Sequence, residues 1–395
     1  MVPQYGGGRL MRVGFTLIGG GKGTGGYNYL LNLLRVVSAH QAARLTPVLF
    51  LGTDIDEATA RPLAEAIGLE IVRSSAFDRA RKTRSLAASA IVGADLAVRR
   101  QFEQARIDVL FESAQFHGWR LGIPVIAWIP DFQHRVLPHM FTRRGYWKRE
   151  LGFRAQMASG RAIMLSSDDA RLACERFYPQ TVGRTRTVRF AVPPAGLPSL
   201  AESREVARSH GLPERFFFMP NQLSKHKNHL LVIEALALLR ARGQVVCVAA
   251  SGKQEDERHP EHFPEVQRRI EASGIGGSLR LLGLIPYAHL ASLMRASTAL
   301  LNPSLFEGWS TPVEEARSIG VPLVLSDLAV HREQAGSRAL YFDRHSAASL
   351  ADALAACKPV PDDDAEARGA EARVEVFAAQ FAQLAEDCAA GRIGR

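Results

Sequence analysis

Cysteine is scarce in this sequence, and no apolar run is long. Its four cysteines, Cys174, Cys247, Cys357 and Cys388, are scattered along 395 residues and form no Cys-x-x-Cys pair. That pattern speaks against a disulfide framework or a zinc site and fits a reducing compartment. The longest apolar stretches, such as residues 123–130, fall far short of the roughly 20 residues that cross a bilayer. Residues 1–10 lack the apolar core of a secretory signal. A cytoplasmic protein is therefore expected, with any membrane attachment peripheral and at the inner face. No RNA- or DNA-binding motif is visible, so no nucleic-acid partner is expected.

What is present describes a globular enzyme-sized chain. Hydrophobic residues make up 47% and charged residues 23% of it, and its length suits two domains of ordinary size. The formal net charge is +9, which favours anionic partners such as nucleotides and lipid headgroups. Basic residues cluster at Arg79-Ala80-Arg81-Lys82-Thr83-Arg84 and at Arg143-Arg144-Gly145-Tyr146-Trp147-Lys148-Arg149. Either cluster suits a solvated face. The second also interleaves Phe141, Tyr146 and Trp147, a mixture suited to an anionic membrane surface.

Apolar runs alternate with helical patterns, the signature of α/β units with parallel sheets. Strands are expected at residues 12–18, 47–51, 70–72, 109–111, 125–128, 162–165 and 186–190. A second series is expected at 216–219, 245–249, 279–282, 299–302 and 323–326. Helices are expected at 228–241, 264–273, 287–295 and 312–319, and another begins at Ser167-Asp168-Asp169. Pro193-Pro194-Ala195-Gly196-Leu197-Pro198 reads as a linker. The implied organisation is a first Rossmann-like domain over residues 1–194, a second over 195–360, and a helical tail over 361–395. In that tail Val374, Phe377, Phe381 and Leu384 share one stripe that must be buried.

Two segments of the second half point to an anion. In Asn302-Pro303-Ser304-Leu305-Phe306-Glu307-Gly308-Trp309-Ser310-Thr311-Pro312-Val313-Glu314-Glu315, a strand runs through a loop into a helix start. Thr311 is expected to cap, Pro312 suits the first turn, and Glu314 is placed to complete a capping box. Free amides at such a terminus attract phosphate, and Glu307 and Glu315 flank it. Glu315 equally suits balancing the helix dipole, and Glu307 a surface loop. The second segment, Asn221-Gln222-Leu223-Ser224-Lys225-His226-Lys227-Asn228-His229, places two lysines and two histidines just after a strand.

Together these segments resemble the retaining glycosyltransferases of family 4, with a GT-B fold and an E-x7-E motif at Glu307 and Glu315. The resemblance implies two Rossmann-like domains facing a cleft, with a C-terminal helix packing back on the domains. It implies transfer of a sugar from a nucleotide diphosphate-sugar, a co-substrate rather than a cofactor, to an acceptor hydroxyl. By this similarity Lys227 neutralises the diphosphate, Glu307 binds the donor sugar and Glu315 the ribose. Gly308, Trp309, Ser310 and Thr311 line the sugar and phosphate, and Leu284, in Leu281-Leu282-Gly283-Leu284-Ile285, lies near the base. Gln222 stands where the family usually has arginine; Lys225 restores the charge but not the forked donors. No DxD-like carboxylate cluster obviously supplies a metal, and Asp362-Asp363-Asp364 reads as a solvated run in a linker, so no metal is expected.

The first half matches more loosely. Residues 19–26 resemble the family's N-terminal glycine loop, which places Gly25 and Gly26 near the donor phosphates. Gly21, Gly23 and Gly26 also satisfy a formal GxGxxG, which leaves a nicotinamide-dependent oxidoreductase as an alternative. An inactive GT-B-like binding subunit is a second one. Asp131, in Ile129-Pro130-Asp131-Phe132-Gln133-His134, occupies the place of the family's His-Asp segment and is the candidate for the acceptor or the reacting sugar. His134 is the runner-up for the acceptor. A turn cap suits Asp131 as well, and a packed structural role suits His134. The expected acceptor is a saccharide or lipid-linked saccharide of a cell-envelope polymer.

Overall fold

The computed structural model of the protein describes residues 9–17, 25–65, 69–113, 115–193, 198–358 and 364–394. Most of the glycine loop, the centre of the proline-rich linker, and Asp362 and Asp363 lie outside them. The chain divides into two compact units. Unit one comprises Met1–Pro130, Gly145–Phe190 and Val374–Arg395, and unit two comprises Asp131–Arg144 and Ala191–Arg373. Packing thus cuts across linear order: Asp131–Arg144 groups with the second unit, and the last turns of the chain return to the first.

Unit one holds strands β1 Met11–Thr16, β2 Leu45–Leu51, β3 Glu70–Arg73, β4 Val109–Ser113, β5 Val125–Trp128, β6 Ala162–Leu165 and β7 Thr185–Thr187. They form one parallel sheet in the order β3-β2-β1-β4-β5-β6-β7. Residues 188–190, expected to extend the last strand, leave the sheet; beyond Thr187 a bond from Val188 N to Leu165 O is the last. Ser167 caps the helix Asp168–Phe177 as expected, accepting from Ala170 N. The tail stripe is buried in this unit. Phe381 packs 5.9 Å from Phe15 and 5.8 Å from Phe111, and Phe377 packs 5.6 Å from Phe190.

Unit two holds β8 Phe217–Met219, β9 Val248–Ser251, β10 Leu279–Gly283, β11 Ala299–Asn302, β12 Leu323–Ser326 and β13 Ala339–Phe342. Their order is β10-β9-β8-β11-β12-β13, again parallel. Alternate residues face opposite cores. Phe217, Met219, Val248, Leu301 and Val324 join one, while Phe216, Phe218, Ala249, Leu300 and Leu325 join the other. Helices His229–Ala241 and Ala347–Ala356 cover the first face, and Tyr287–Ala296 covers the second. Burial on both faces explains why these strands read as continuous apolar runs. The strand expected at 245–249 begins only at Val248, since Val245 is exposed.

Candidate functional site

Strand order in the second sheet reverses between β8 and β11. Connections leaving the carboxyl ends of these two neighbours diverge, and doubly wound proteins bind ligands in the crevice so formed. After β8 the chain reaches a single 3-10 turn, Lys225–Lys227, and then Asn228 at φ 62°. Asparagine tolerates that left-handed conformation better than most residues. Its Nδ2 donates to Pro303 O at 3.1 Å and to Arg344 O at 3.0 Å. Leu305 N donates to His226 O at 2.8 Å. The loops after β8 and β11 are thereby stitched together.

That stitching brings Lys227 to Glu307. Lys227 Nζ lies 2.6 Å from Glu307 Oε1, with side chains 16% and 9% exposed. Ser304 Oγ lies 2.7 Å from the same Oε1. Among the described residues Oε2 carries no hydrogen-bond partner. Burial pushes the Glu307 carboxyl up, but the charge and hydrogen bond of Lys227 oppose it, and the carboxyl lies below its ordinary value. Glu307 is thus an ionised, buried carboxylate rather than a surface-loop residue.

The helix Thr311–Ser318 opens beside this pair, joined to it by a chain of side chains. Ser304 Oγ lies 2.6 Å from Asn302 Oδ1, and Asn302 Nδ2 donates to Ser310 Oγ at 2.7 Å. Ser310, not Thr311, is the N-cap. Gln334 fixes its backbone from both sides: Nε2 donates to Ser310 O at 3.0 Å, and Oε1 accepts from Ser310 N at 3.2 Å. The expected capping box is absent. Glu314 is buried instead between Arg317 and Arg373, each 2.9 Å from one of its oxygens, because two guanidinium charges hold it more strongly than an amide would. Glu315 is half-buried, and burial alone pushes its carboxyl up to about 7.

The neighbouring histidines are neutral. Burial, then the Lys227 charge, pulls His226 down to about 4. Burial, then His262, pulls His229 down to about 3. His331 is fully buried and also lowered by burial; its Nδ1 lies 3.0 Å from Ser326 O, and Nε2 has no partner among the described residues. Fixed positive charge here comes from Lys227 and the exposed Lys225, whose backbone N donates to Asp256 Oδ2 at 3.0 Å.

The segment Asp131–Arg144 docks on that same loop region of unit two. Gln133 Oε1 accepts from Arg258 Nη1 at 3.1 Å, the Arg258 guanidinium stands 5.0 Å over the Phe141 ring, and His259 Nε2 lies 3.1 Å from Met140 O. Asp256 Oδ1 accepts from Arg258 N at 3.0 Å. Asp131 Oδ1 accepts from Gln133 N at 2.7 Å, which is the turn-cap geometry. His134 is fully buried and edge-on to Phe141, the setting of a packed histidine.

Other expected site residues are placed as follows. Gln222 is exposed, Leu284 is exposed beyond β10, Gly308 and Trp309 are half-buried, and Thr311 is exposed. Trp309 Nε1 is buried without a partner among the described residues. Gly25 and Gly26 begin the helix Gly25–His40 of unit one. Sequence reading did not single out Asn302, Ser304 or Gln334 as site residues, nor Asn228 as the residue that joins the loops. The Asn302-Pro303-Ser304 turn chemistry was the available signal. Among the described residues, no group of three or more His, Cys, Asp or Glu side chains is placed to hold a metal, and no helix is long and apolar enough to cross a membrane.

Residues 203–369 match the family model of glycosyl transferases group 1. The matched segment contains the whole second sheet and both Lys227 and Glu307. Over 239 residues the chain is 25% identical to O-antigen chain mannosyltransferase B of Escherichia coli, covering 58% of this chain and 61% of that protein. The chain therefore spans less than two thirds of this curated relative. Among solved structures, a glycosyltransferase from Rickettsia africae ESF-5 superposes with a TM-score of 0.66 at 12% identity, over 95% of this chain and 96% of that one. Anabaena Alr3699/HepE in complex with UDP and glucose superposes with a TM-score of 0.64 at 15% identity, over 95% of each chain. At such identities the structural likeness establishes the fold, which is GT-B. Family match and curated relative together support a glycosyltransferase of this fold.

Proposed function

We propose that the protein is a retaining glycosyltransferase of the family 4, E-x7-E type, moving a hexose from a nucleotide diphosphate-sugar to an acceptor hydroxyl. One observation carries the reading: the Lys227–Glu307 pair, joined by hydrogen bonds to the start of a helix, at the switch point of the second sheet. The complex of Anabaena Alr3699/HepE with UDP and glucose supports a nucleotide and a sugar as ligands of this fold.

In the reaction, the bond from the anomeric carbon to a β-phosphate oxygen breaks, and an acceptor oxygen bonds to that carbon on the same face. Negative charge grows on the departing diphosphate. An ammonium has three donors; one of Lys227's goes to Glu307, which leaves two for phosphate oxygens. Lys225 and the first-turn amides at Thr311 and Val313 add to the stabilisation, so the reading calls on no metal. Glu307 Oε2 accepts from a donor-sugar hydroxyl, and Glu315 takes the ribose hydroxyls. Leu284 flanks the base and Gln222 borders the diphosphate, and Gly25 and Gly26 are kept as donor-binding candidates. We assign the acceptor proton to the vicinity of Asp131.

For the acceptor we propose a saccharide or lipid-linked saccharide of a cell-envelope polymer, met at the inner face of a membrane. Support comes from the helix Arg143–Ala158, on which Arg143, Arg144, Trp147, Lys148 and Leu151 are exposed together. Such a basic, aromatic face suits anionic headgroups. Incubation with a panel of nucleotide-sugars tests the core of the reading. Release of nucleoside diphosphate with transfer of sugar to an acceptor supports it; no turnover and no stabilisation by any donor would sink it.

A further inference from the structure

Near the Lys227–Glu307 pair stands a buried histidine whose second ring nitrogen the fold leaves unused. His331 follows β12, in the helix Ala329–Ala335, and is fully buried. Its Nδ1 lies 3.0 Å from Ser326 O. A carbonyl oxygen only accepts, so Nδ1 carries the ring hydrogen. Ser326 Oγ is also close, 3.2 Å from Nδ1, but it donates its single hydrogen to Ser304 O at 2.7 Å. It therefore meets Nδ1 as a second acceptor. In the neutral ring Nε2 is then a bare lone pair, and it has no partner among the described residues.

The same serine ties His331 to the candidate site. Ser326 Oγ holds Ser304 O, and Ser304 Oγ lies 2.7 Å from Glu307 Oε1. Burial pulls the imidazole's pKa down, and the Glu307 charge opposes that pull more than any other group does. Two buried side chains of one site thus each present an acceptor, Glu307 Oε2 and His331 Nε2, with no donor to fill it among the described residues. A buried acceptor left unmatched is costly, so it points to a ligand group that donates. Sugar hydroxyls donate; ionised phosphate oxygens carry no hydrogen. Nε2 therefore suits the sugar of a nucleotide-sugar rather than its diphosphate.

We propose, resting on the glycosyltransferase reading, that His331 Nε2 accepts a hydrogen bond from a donor-sugar hydroxyl other than the one held by Glu307, and so selects donors that carry it. Calorimetric titration of the full chain with UDP, GDP, UDP-glucose, GDP-mannose and the monodeoxy forms of whichever nucleotide-sugar binds tests it. Two variants divide the ring. His331→Asn keeps a donor where Nδ1 stands and removes the Nε2 acceptor, whereas His331→Gln places an amide oxygen near Nε2. His331→Asn should keep its affinity for UDP and GDP and lose about tenfold for the nucleotide-sugar, the worth of one hydrogen bond. His331→Gln should recover most of that loss. One deoxy position that weakens binding to the wild type should cease to matter in His331→Asn. Equal loss of nucleoside diphosphate and nucleotide-sugar marks a structural role and overturns the inference. So do an unchanged nucleotide-sugar affinity in His331→Asn and deoxy penalties that are the same in both proteins. Each of these results leaves the glycosyltransferase reading standing; failure of the wild type to bind any nucleotide or nucleotide-sugar overturns both.

Discussion

Lys227 Nζ and Ser304 Oγ both meet Glu307 at Oε1, leaving Oε2 without a described partner. One oxygen fixes the carboxylate and the other is available to a ligand. Charge-assisted hydrogen bonds contribute about 1.5–3 kcal/mol each. Lys227→Ala is therefore expected to weaken nucleoside diphosphate binding about 10- to 100-fold and nearly to abolish transfer. Glu307→Gln, which keeps the shape, should reduce transfer far more than nucleotide affinity. Paired calorimetry and turnover assays check both; normal turnover in either variant contradicts the assignment.

Glu314 and Glu315 are neighbours with opposite expected behaviour. Glu314→Gln removes the buried carboxylate that pairs with both Arg317 and Arg373 and should cost about 3 kcal/mol of stability, the range for breaking a buried pair. Glu315→Gln removes no ion pair and should leave stability at pH 8 unchanged or slightly higher. Denaturant melts of the two variants separate these outcomes, and equal destabilisation would contradict the structural contrast.

Glu315 also predicts a pH dependence. Burial raises its folded-state pKa from the ordinary 4.5 to about 7. Its stabilising contribution is therefore fully present below the unfolded pKa and lost as pH rises through about 7. On the proposed ribose role, ionisation over the same range supplies the carboxylate that would accept the ribose hydroxyls. Nucleotide affinity should rise through pH 7 in the wild type, beyond any rise in Glu315→Gln. Parallel curves for the two proteins would remove the ribose role.

Asn228 combines a left-handed backbone with two side-chain bonds that join the loops after β8 and β11. Asn228→Gly loses only the bonds, whereas Asn228→Ala adds roughly 1 kcal/mol of left-handed strain. The alanine variant should therefore melt lower than the glycine variant, with nucleotide binding weakened in both. Chemical denaturation checks the order, and the reverse order would argue against the strain.

Much of the fold was legible because its strands are buried on both faces. Phe217, Val248, Leu301 and their alternates make apolar runs that need no long-range knowledge. β13 escaped because Ala339–Phe342 is only half-buried and reads as no such run. The loops bearing Lys227 and Glu307 were visible as strand-end segments, yet their contact was not. It joins residues eighty apart and exists only because β8 lies beside β11. Glu314's fate depended on Arg373, and the docking of Asp131–Arg144 depended on Arg258 and His259. In both cases the decisive partner lies far away in sequence, where local pattern carries no signal.

The central claim is that unit two grips a nucleoside diphosphate through Lys227. Titration of wild type and Lys227→Ala with UDP, GDP and NADH tests it most directly. The account predicts that UDP or GDP binds the wild type, that the variant loses at least tenfold, and that NADH does not bind. Binding of NADH with neither nucleoside diphosphate, or diphosphate binding unchanged in Lys227→Ala, would contradict it.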